Sequence, residues 1–588
     1  MQFADDQQGT WVLRFAQDDK VAVPDSDMNR KCFLQVVSAS FVLLFAHILS
    51  AQVHVSIQVD AARSLGPLDP VWNFFGYDEP NYTYSQHGRE LIAELSGSNA
   101  ARVQIRTHNL LTTGDGTPAL KWGSTNAYTE DSAGHAVYDW TIVDKIIDTY
   151  LESGAKPLVE IGFMPEALSK HPEPYRHHFP NGELFLGWTY PPKDYEKWRE
   201  LVYQMVAHCI ARYGKKEVVG WNWEVWNEPD IPYWHGTPEE YDKLYDYAVD
   251  GMRRALPEAK VGGPATTGPG SAKAAAFLKQ FLQHCASGTN SATGKTGAPL
   301  DFISFHAKGA PEVRERRVQM GLAHELRDVD EGLKIVSSFP RFAHLPVILS
   351  EADPEGCAAC SAKDHPQNAY RNGTLYPAYT AMAIREMLDL NERSKTNLAG
   401  ILTWAFEFED QPYFLGYRTL ATNGIDKPVL DLFKMLGLMS GERVEVKSSA
   451  AVDLDEMLKS GVRGKADVDG LAARGNHEVT VLLWNYQDDE ASAAELPVQL
   501  NLAGLPRNAR RILVKHYRID QNHSNSYTVW KAMGSPQSPT AGQYELLKAA
   551  GKLQLLESPW WMDSKDGAVR LDVPMPGESL SLVELSWW

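Results

Sequence analysis

The 588-residue chain is short of positive charge: 57 Lys and Arg stand against 75 Asp and Glu, a formal net charge of −18. That deficit excludes nucleic acid and an anionic membrane surface as partners, since both are held by basic faces. It leaves an acidic substrate open, because a local basic pocket overrides a global field. Cysteine is scarce, with 5 residues. Cys357 and Cys360 have CxxC spacing, but no second CxxC or histidine pair accompanies them, which argues against a zinc site. In an exported chain this pair is expected to form a local disulfide, while Cys209 and Cys285 lie in helical contexts and read as buried thiols. His177 and His178 are adjacent in a loop rather than spaced along a helix face, so a metal centre is not expected there either. The glycine-rich stretch 262–270, GGPATTGPG, lacks the Lys-Ser/Thr ending of a phosphate loop. Internal repeats and low-complexity tracts are missing. No metal and no organic cofactor is expected.

An apolar run that approaches the length of a membrane span occurs in one place. Asn29-Arg30-Lys31 precedes an apolar stretch from Cys32 to Leu49, and Leu49-Ser50-Ala51 offers a cleavage site before Gln52. This is a signal-peptide pattern over about residues 28–51. It implies secretion or a periplasmic location, with no stable membrane insertion after cleavage. Met28 is read as the start, and residues 1–27 as an extension ahead of it. The competing reading is an uncleaved anchor, but the run is short for a span and holds Gln35, Ser38, Ser40 and His47.

At this length two or more domains are expected. From residue 70 to 438, short β-branched or aromatic runs alternate with longer amphipathic patterns. The runs are Trp72–Tyr77, Ala101–His108, Pro157–Phe163, Val218–Asn227, Lys260–Pro264, Leu300–His306, Val347–Glu351 and Ala399–Phe406. Eight strands with helices between them predict a parallel α/β (β/α)8 TIM barrel. From 439 to 588 the helical patterns fade. Alternating strands at Arg443–Lys447, His477–Tyr486, Glu495–Leu502, Arg511–Asp520, Ala568–Val573 and Ser579–Ser586 predict a C-terminal antiparallel β-sandwich. One helical insert is expected at Gln543–Ala550. The segment 52–69 holds a further strand, His54–Gln58, that could join the sandwich.

Two of the barrel strands deliver a carboxylate to their C-terminal end. One is VVGWNWEVWNEPD at 218–230, where Pro229 stops the strand behind Glu228; the other is PVILSE at 346–351, ending in Glu351. Barrels place their chemistry on that face. A pair of acids there suits glycoside cleavage, in which one carboxyl donates a proton and the other attacks or activates water. A lone Glu at a strand end is more often solvated or ion-paired, but WNEP surrounds the acid with an aromatic, an amide and a strand stop. His108 and His306 end the second and sixth strands.

These residues resemble a known family. Arg106-Thr107-His108, WNWEVWNEPD, Gly262-Gly263-Pro264, DFISFHAKGA at 301–310, Glu351-Ala352-Asp353-Pro354 and Arg418-Thr419-Leu420 resemble glycoside hydrolase family 39, which holds α-L-iduronidases and β-xylosidases. The likeness is strong in the motifs, loose between them, and runs from about 70 to 550. It implies a retaining exo-glycosidase acting on an oligo- or polysaccharide, with Glu228 as acid/base and Glu351 as nucleophile. It further implies that His108, Asn227 and His306 contact the sugar and that Lys308, Asp410 and Arg418 bind a uronate carboxylate. Structural alternatives stay open: a rim hydrogen bond for His108, and ion pairs with Glu407, Glu409 or Asp410 for Lys308 and Arg418. The chain is expected to lack the further C-terminal domain of the iduronidase pattern. Two rival classes are a non-catalytic carbohydrate-binding protein on the same barrel, which would have lost one of the two acids, and a metallohydrolase, which would need paired histidines at strand ends.

Overall fold

Eight parallel strands close into a barrel in chain order: Phe74–Tyr77, Gln104–Thr107, Lys156–Ile161, Asn222–Val225, Lys260–Thr266, Phe302–Lys308, Pro346–Asp353 and Asn397–Trp404. The computed structural model describes residues 54–588 apart from 108, 119–122, 178–183, 186, 316 and 491–494. The signal-type segment at 28–51 and the extension before it lie outside the described residues, and so does His108. Among the described residues no helix is long and apolar enough to cross a membrane.

The barrel interior is filled rather than open. Phe74, Leu158, Phe302, Ile348, Leu402 and Trp404, drawn from five strands, form a buried cluster of their own. Glycine makes room for two of these rings. A Cβ on Gly262 would stand 2.6 Å from the Phe302 ring, and one on Gly400 2.9 Å from that of Phe74. Outside, each strand is followed by a helix that buries one face, such as Tyr195–Tyr213 and Leu375–Ser394. The helix after the fourth strand, Pro238–Ala255, starts at a capping box between Thr237 and Glu240 with Pro238 in its first turn.

The fourth strand is shorter than the predicted Val218–Asn227. Its first residue, Val218, closes the helical turn Lys215–Val218 that follows Gly214, at φ 84°, and beyond Val225 the chain leaves the extended region, with Trp226 at φ 74° and Glu228 at φ 47°. The apolar run VVGW carries buried Val218 and Trp221 into the core without pairing. Apolarity without partner strands produced the longer prediction.

The second body is a ten-stranded ladder that folds over on itself. Ile57, Val481, Leu500, Val573 and Leu585, from both halves of the ladder, share one core, as sheets in a sandwich do. The strand Val55–Pro67 runs antiparallel to Glu442–Ser448 and parallel to Leu496–Ala503, which is why the sheet is mostly rather than wholly antiparallel. Asp467–Arg474 is a strand that the sequence patterns missed, because DVDGLAAR is buried on both faces and shows no alternation. The helical insert is a pair, Ser526–Ala532 and Ala541–Ala550. Its buried Trp530 and Leu547 pack on Phe414 and Ile425 of the loops after the eighth barrel strand.

Candidate active site

The two strand-end acids stand next to each other. Glu228 leaves the fourth strand in a left-handed conformation, and its N–H donates to the Ala265 carbonyl at 2.9 Å. A non-glycine residue pays for that conformation and keeps it only where the surroundings over-determine it. Here they do. Trp226, also left-handed, is wholly buried, its N–H bonds to the Ile161 carbonyl at 2.9 Å, and its ring sits 5.1 Å from those of Phe163 and Trp234. The indole N–H donates to the Tyr233 carbonyl at 2.8 Å. The Glu228 carboxyl keeps a little exposure, 16%.

His306, fully buried at the sixth strand, points Nδ1 at both acids: 2.9 Å to Glu228 Oε1 and 3.8 Å to Glu351 Oε2. With carboxylates on that side, the ring proton belongs on Nδ1. Carboxylate oxygens of Glu228 and Glu351 and a ring nitrogen of His306 all lie within 4.8 Å of one another. Such a trio has the donor types of a metal site, but cations already occupy Glu351. Arg106 Nη1 approaches its Oε1 at 3.3 Å and Lys308 Nζ its Oε2 at 2.9 Å. A metal ion would meet two fixed positive charges there, so the residues present do not fit one.

Arg106, wholly buried on the second strand, organises the floor. Its Nε donates to Glu224 at 2.6 Å and its Nη2 to the Asn227 side-chain oxygen at 2.9 Å, and its guanidinium lies 5.1 Å from the centre of the Trp404 ring. Asn227 is thereby fixed next to Glu228. Lys308 lies between two carboxylates, since its Nζ is also 2.7 Å from Asp353. Burial works against the ammonium, yet Asp353 and Glu351 together hold its pKa above the usual lysine range.

Arg418 sits deeper. Its side chain has no exposure, is 3.0 Å from Asp353, and donates to the Glu355 carboxylate and to the Trp404 carbonyl. Its ion-pair partners are Asp353 and Glu355, not Glu407, Glu409 or Asp410. Glu355 is joined in turn to Arg371 at 2.8 Å. Burial opposes ionisation of the Glu355 carboxyl, but Arg371 and Arg418 prevail and hold it below the ordinary carboxylate range. Asp410 stands apart, exposed in the loop after the eighth strand at φ 59°. Its charge adds to burial and Glu79 in pushing the Tyr82 hydroxyl up to about 12.

The structure therefore gathers Glu228, Glu351, Asn227, His306 and Lys308 at one mouth. It sets Arg418 behind them and Asp410 to one side. Reasoning from sequence assigned no role to Arg106 and Glu224, and read Glu355 as a supporting or structural acid. Cys357 and Cys360 form a disulfide in the loop after the seventh strand, and Cys209 and Cys285 are buried thiols.

Comparison with known proteins shows the family and the fold. The family model described as glycosyl hydrolases family 39 matches residues 55–563. A β-xylosidase of Caldicellulosiruptor saccharolyticus is 29% identical over 433 residues, 71% of this chain and 77% of the relative. An α-L-iduronidase of Mus musculus is 27% identical over 574 residues, 92% of this chain and 82% of the relative. The crystal structure of a monomeric β-xylosidase from Caulobacter crescentus CB15 superposes with a TM-score of 0.70 at 23% identity, over 90% of this chain and 99% of that one, a likeness of fold.

Proposed function

Since the chain belongs to glycosyl hydrolases family 39 and is thus a glycosidase, we propose that it works as a retaining exo-glycosidase, with Glu228 as acid/base and Glu351 as nucleophile. The observation that carries this reading is the spacing of the acids, whose nearest oxygens lie within 4.8 Å. Retaining enzymes hold the pair about 5–5.5 Å apart, whereas inverting enzymes need about 6.5–9.5 Å to admit water between acid and sugar. Glu228 gives its proton to the glycosidic oxygen as Glu351 attacks C1, and the C1–oxygen bond breaks. Glu228 then takes a proton from water, which attacks C1 and frees Glu351. When Glu351 becomes an ester it loses its charge, and Asp353 still holds Lys308. NMR of the first-formed sugar should show the anomeric configuration of the substrate. The opposite anomer would overturn the assignment of Glu351.

For the sugar, the charges favour a neutral pentoside of the xyloside type. Arg418 already holds Asp353 and Glu355, and Lys308 already holds Glu351 and Asp353. A substrate carboxylate would enter a site crowded with acids and find no uncommitted cation among these candidates. A uronide is the second reading, supported by the 15% exposure that Lys308 keeps beside Glu351. An aryl β-xyloside should be cleaved faster than the matching α-L-iduronide, and the reverse order would select the uronide. The signal-type segment and the Cys357–Cys360 disulfide support export to an oxidising compartment. Sequencing of the secreted protein should begin at Gln52.

A further inference from the structure

Six charged side chains of alternating sign run inward from the loop after the seventh strand to Glu351. Arg371, on the turn Pro366–Asn372, is 2% exposed and 2.8 Å from Glu355. Glu355 also meets Arg418, Arg418 is 3.0 Å from Asp353, Asp353 is 2.7 Å from Lys308, and Lys308 is 2.9 Å from Glu351. Each interior member is thus shared between two neighbours of opposite sign. The outer end is fixed. Arg371 donates to the carbonyls of Cys357 at 2.8 Å and Cys360 at 2.7 Å, and the disulfide between these two cysteines closes the loop that presents them. The Tyr370 hydroxyl donates to the second oxygen of Glu355.

Stability does not account for such a row. Burying charge is costly, and a buried ion pair is often no more stabilising than apolar side chains of the same volume. The arrangement does, however, carry an effect to Glu351. A cation drawn towards one carboxylate is drawn away from the other, so a change at the outer end passes down the row with alternating sign. If Arg371 loses its charge, Glu355 draws Arg418 from Asp353. Asp353 then draws Lys308, and Glu351 is left with a weaker cation. If Glu355 loses its charge, Arg418 turns to Asp353, Asp353 releases Lys308, and Glu351 gains. Attraction through space has the same sign in both cases, since the first change leaves excess negative charge near Glu351 and the second excess positive charge. Lys308 is where the row meets the site. The other ionisable groups facing Glu351 are Arg106 from the second strand, Glu228 beyond the fourth and His306 from the sixth, and all three lie outside the row.

We propose that Arg371 and Glu355 are positioning residues for the nucleophile, setting through Arg418 how Lys308 is divided between Asp353 and Glu351. The assignment rests on the retaining reading above. The test is covalent labelling by a dinitrophenyl β-xyloside, or the α-L-iduronide if the enzyme prefers it, with fluorine in place of the hydroxyl next to C1. Glu351 bonds to C1 and dinitrophenolate departs with the electron pair. That leaving group needs no proton from Glu228, so labelling slows at low pH as Glu351 takes up a proton. Arg371→Met should move this acidic limb to higher pH by about 0.5–1 unit, and Glu355→Gln should move it to lower pH by about as much. The double variant should fall between them, and Arg371→Lys, which keeps the charge, should return the limb at least halfway. A merely structural role would slow labelling and leave the limb in place. Each single variant has its own expected direction, so if one does not fold the other still decides. A limb that stays put or moves the opposite way, with peptide mass spectrometry finding the label on Glu351, would overturn the relay and leave the retaining reading intact. A label on another residue of the unaltered enzyme, or none, would overturn that reading and the relay with it.

Discussion

A carboxyl group does not know whether it is an acid or a nucleophile; its neighbours decide. Glu351 has a cation at each oxygen, Arg106 on one side and Lys308 on the other, a setting that suits the nucleophile proposed above. Glu228 touches only the His306 ring among these polar side chains and keeps partial exposure at the mouth, as a proton donor to a departing oxygen must. Two substitutions separate the roles. Glu351→Ala should lower kcat by ~10⁴-fold or more, since no covalent intermediate then forms. Added azide should restore turnover by filling the space and yield a glycosyl azide of inverted configuration. Glu228→Gln should lose ~10²–10⁴-fold on an unactivated disaccharide but retain formation of the glycosyl–enzyme from a substrate with an activated leaving group. Equal losses on the two substrates would take the acid role away from Glu228.

At the scale of elements, the strand ends do the positioning, and they differ in how legible they are. The barrel strands could be read because each buries both faces and so appears as a nearly continuous apolar run. The same property misled twice. It stretched the fourth strand into Val218–Gly220, apolar residues that pack without pairing, and it hid Asp467–Arg474, whose Asp and Gly interrupt a run that is nevertheless buried. Glu228, His306 and Glu351 were legible because a polar residue that ends an apolar strand stands out locally. Arg106 and Glu224 were not, since their importance arises from neighbours across the barrel, 118 residues apart in sequence.

The loop after the eighth strand gives this scale its own test. Burial, helped by the charge of Asp426, pushes the Glu407 carboxyl up to about 8 despite the Gly424 N–H bonded to it at 2.6 Å. Its folded value lies above the ordinary 4.5, so the folded state binds the proton more tightly. The stability this contributes is complete below pH 4.5 and is lost as pH rises towards 8, at up to ~1.4 kcal/mol per pH unit. Urea unfolding at pH 5 and pH 8 should show a smaller decline in Glu407→Gln than in the unaltered protein, the remainder coming from other buried acids raised into the same window, such as Glu386 and Asp431, each to about 8. An identical decline in both proteins would show that Glu407 does not titrate in this window.

At the scale of the molecule, the barrel and the sandwich share a core. Residues 54–588 form one compact unit. One face of the ladder packs within the sandwich, while Leu471, Leu482, Trp484, Ile519 and Leu582 belong to the same buried cluster as Met387 and Leu390 of the helix Leu375–Ser394. That helix follows the strand bearing Glu351, and the helical pair of the sandwich packs on the loops after the eighth strand. The sandwich therefore braces the side of the barrel that carries Glu351, and neither body can lose its structure without exposing apolar surface of the other. Leu482, wholly buried at this junction, reports on that coupling. Leu482→Ala should cost about 2–5 kcal/mol through the lost contacts and the cavity left behind. Because the core is common, calorimetry should show one transition moved to lower temperature, with loss of activity following the same curve. If instead the variant showed a sandwich transition at lower temperature and an unmoved barrel transition that tracks activity, the junction would be a docking surface between independent domains rather than a shared core.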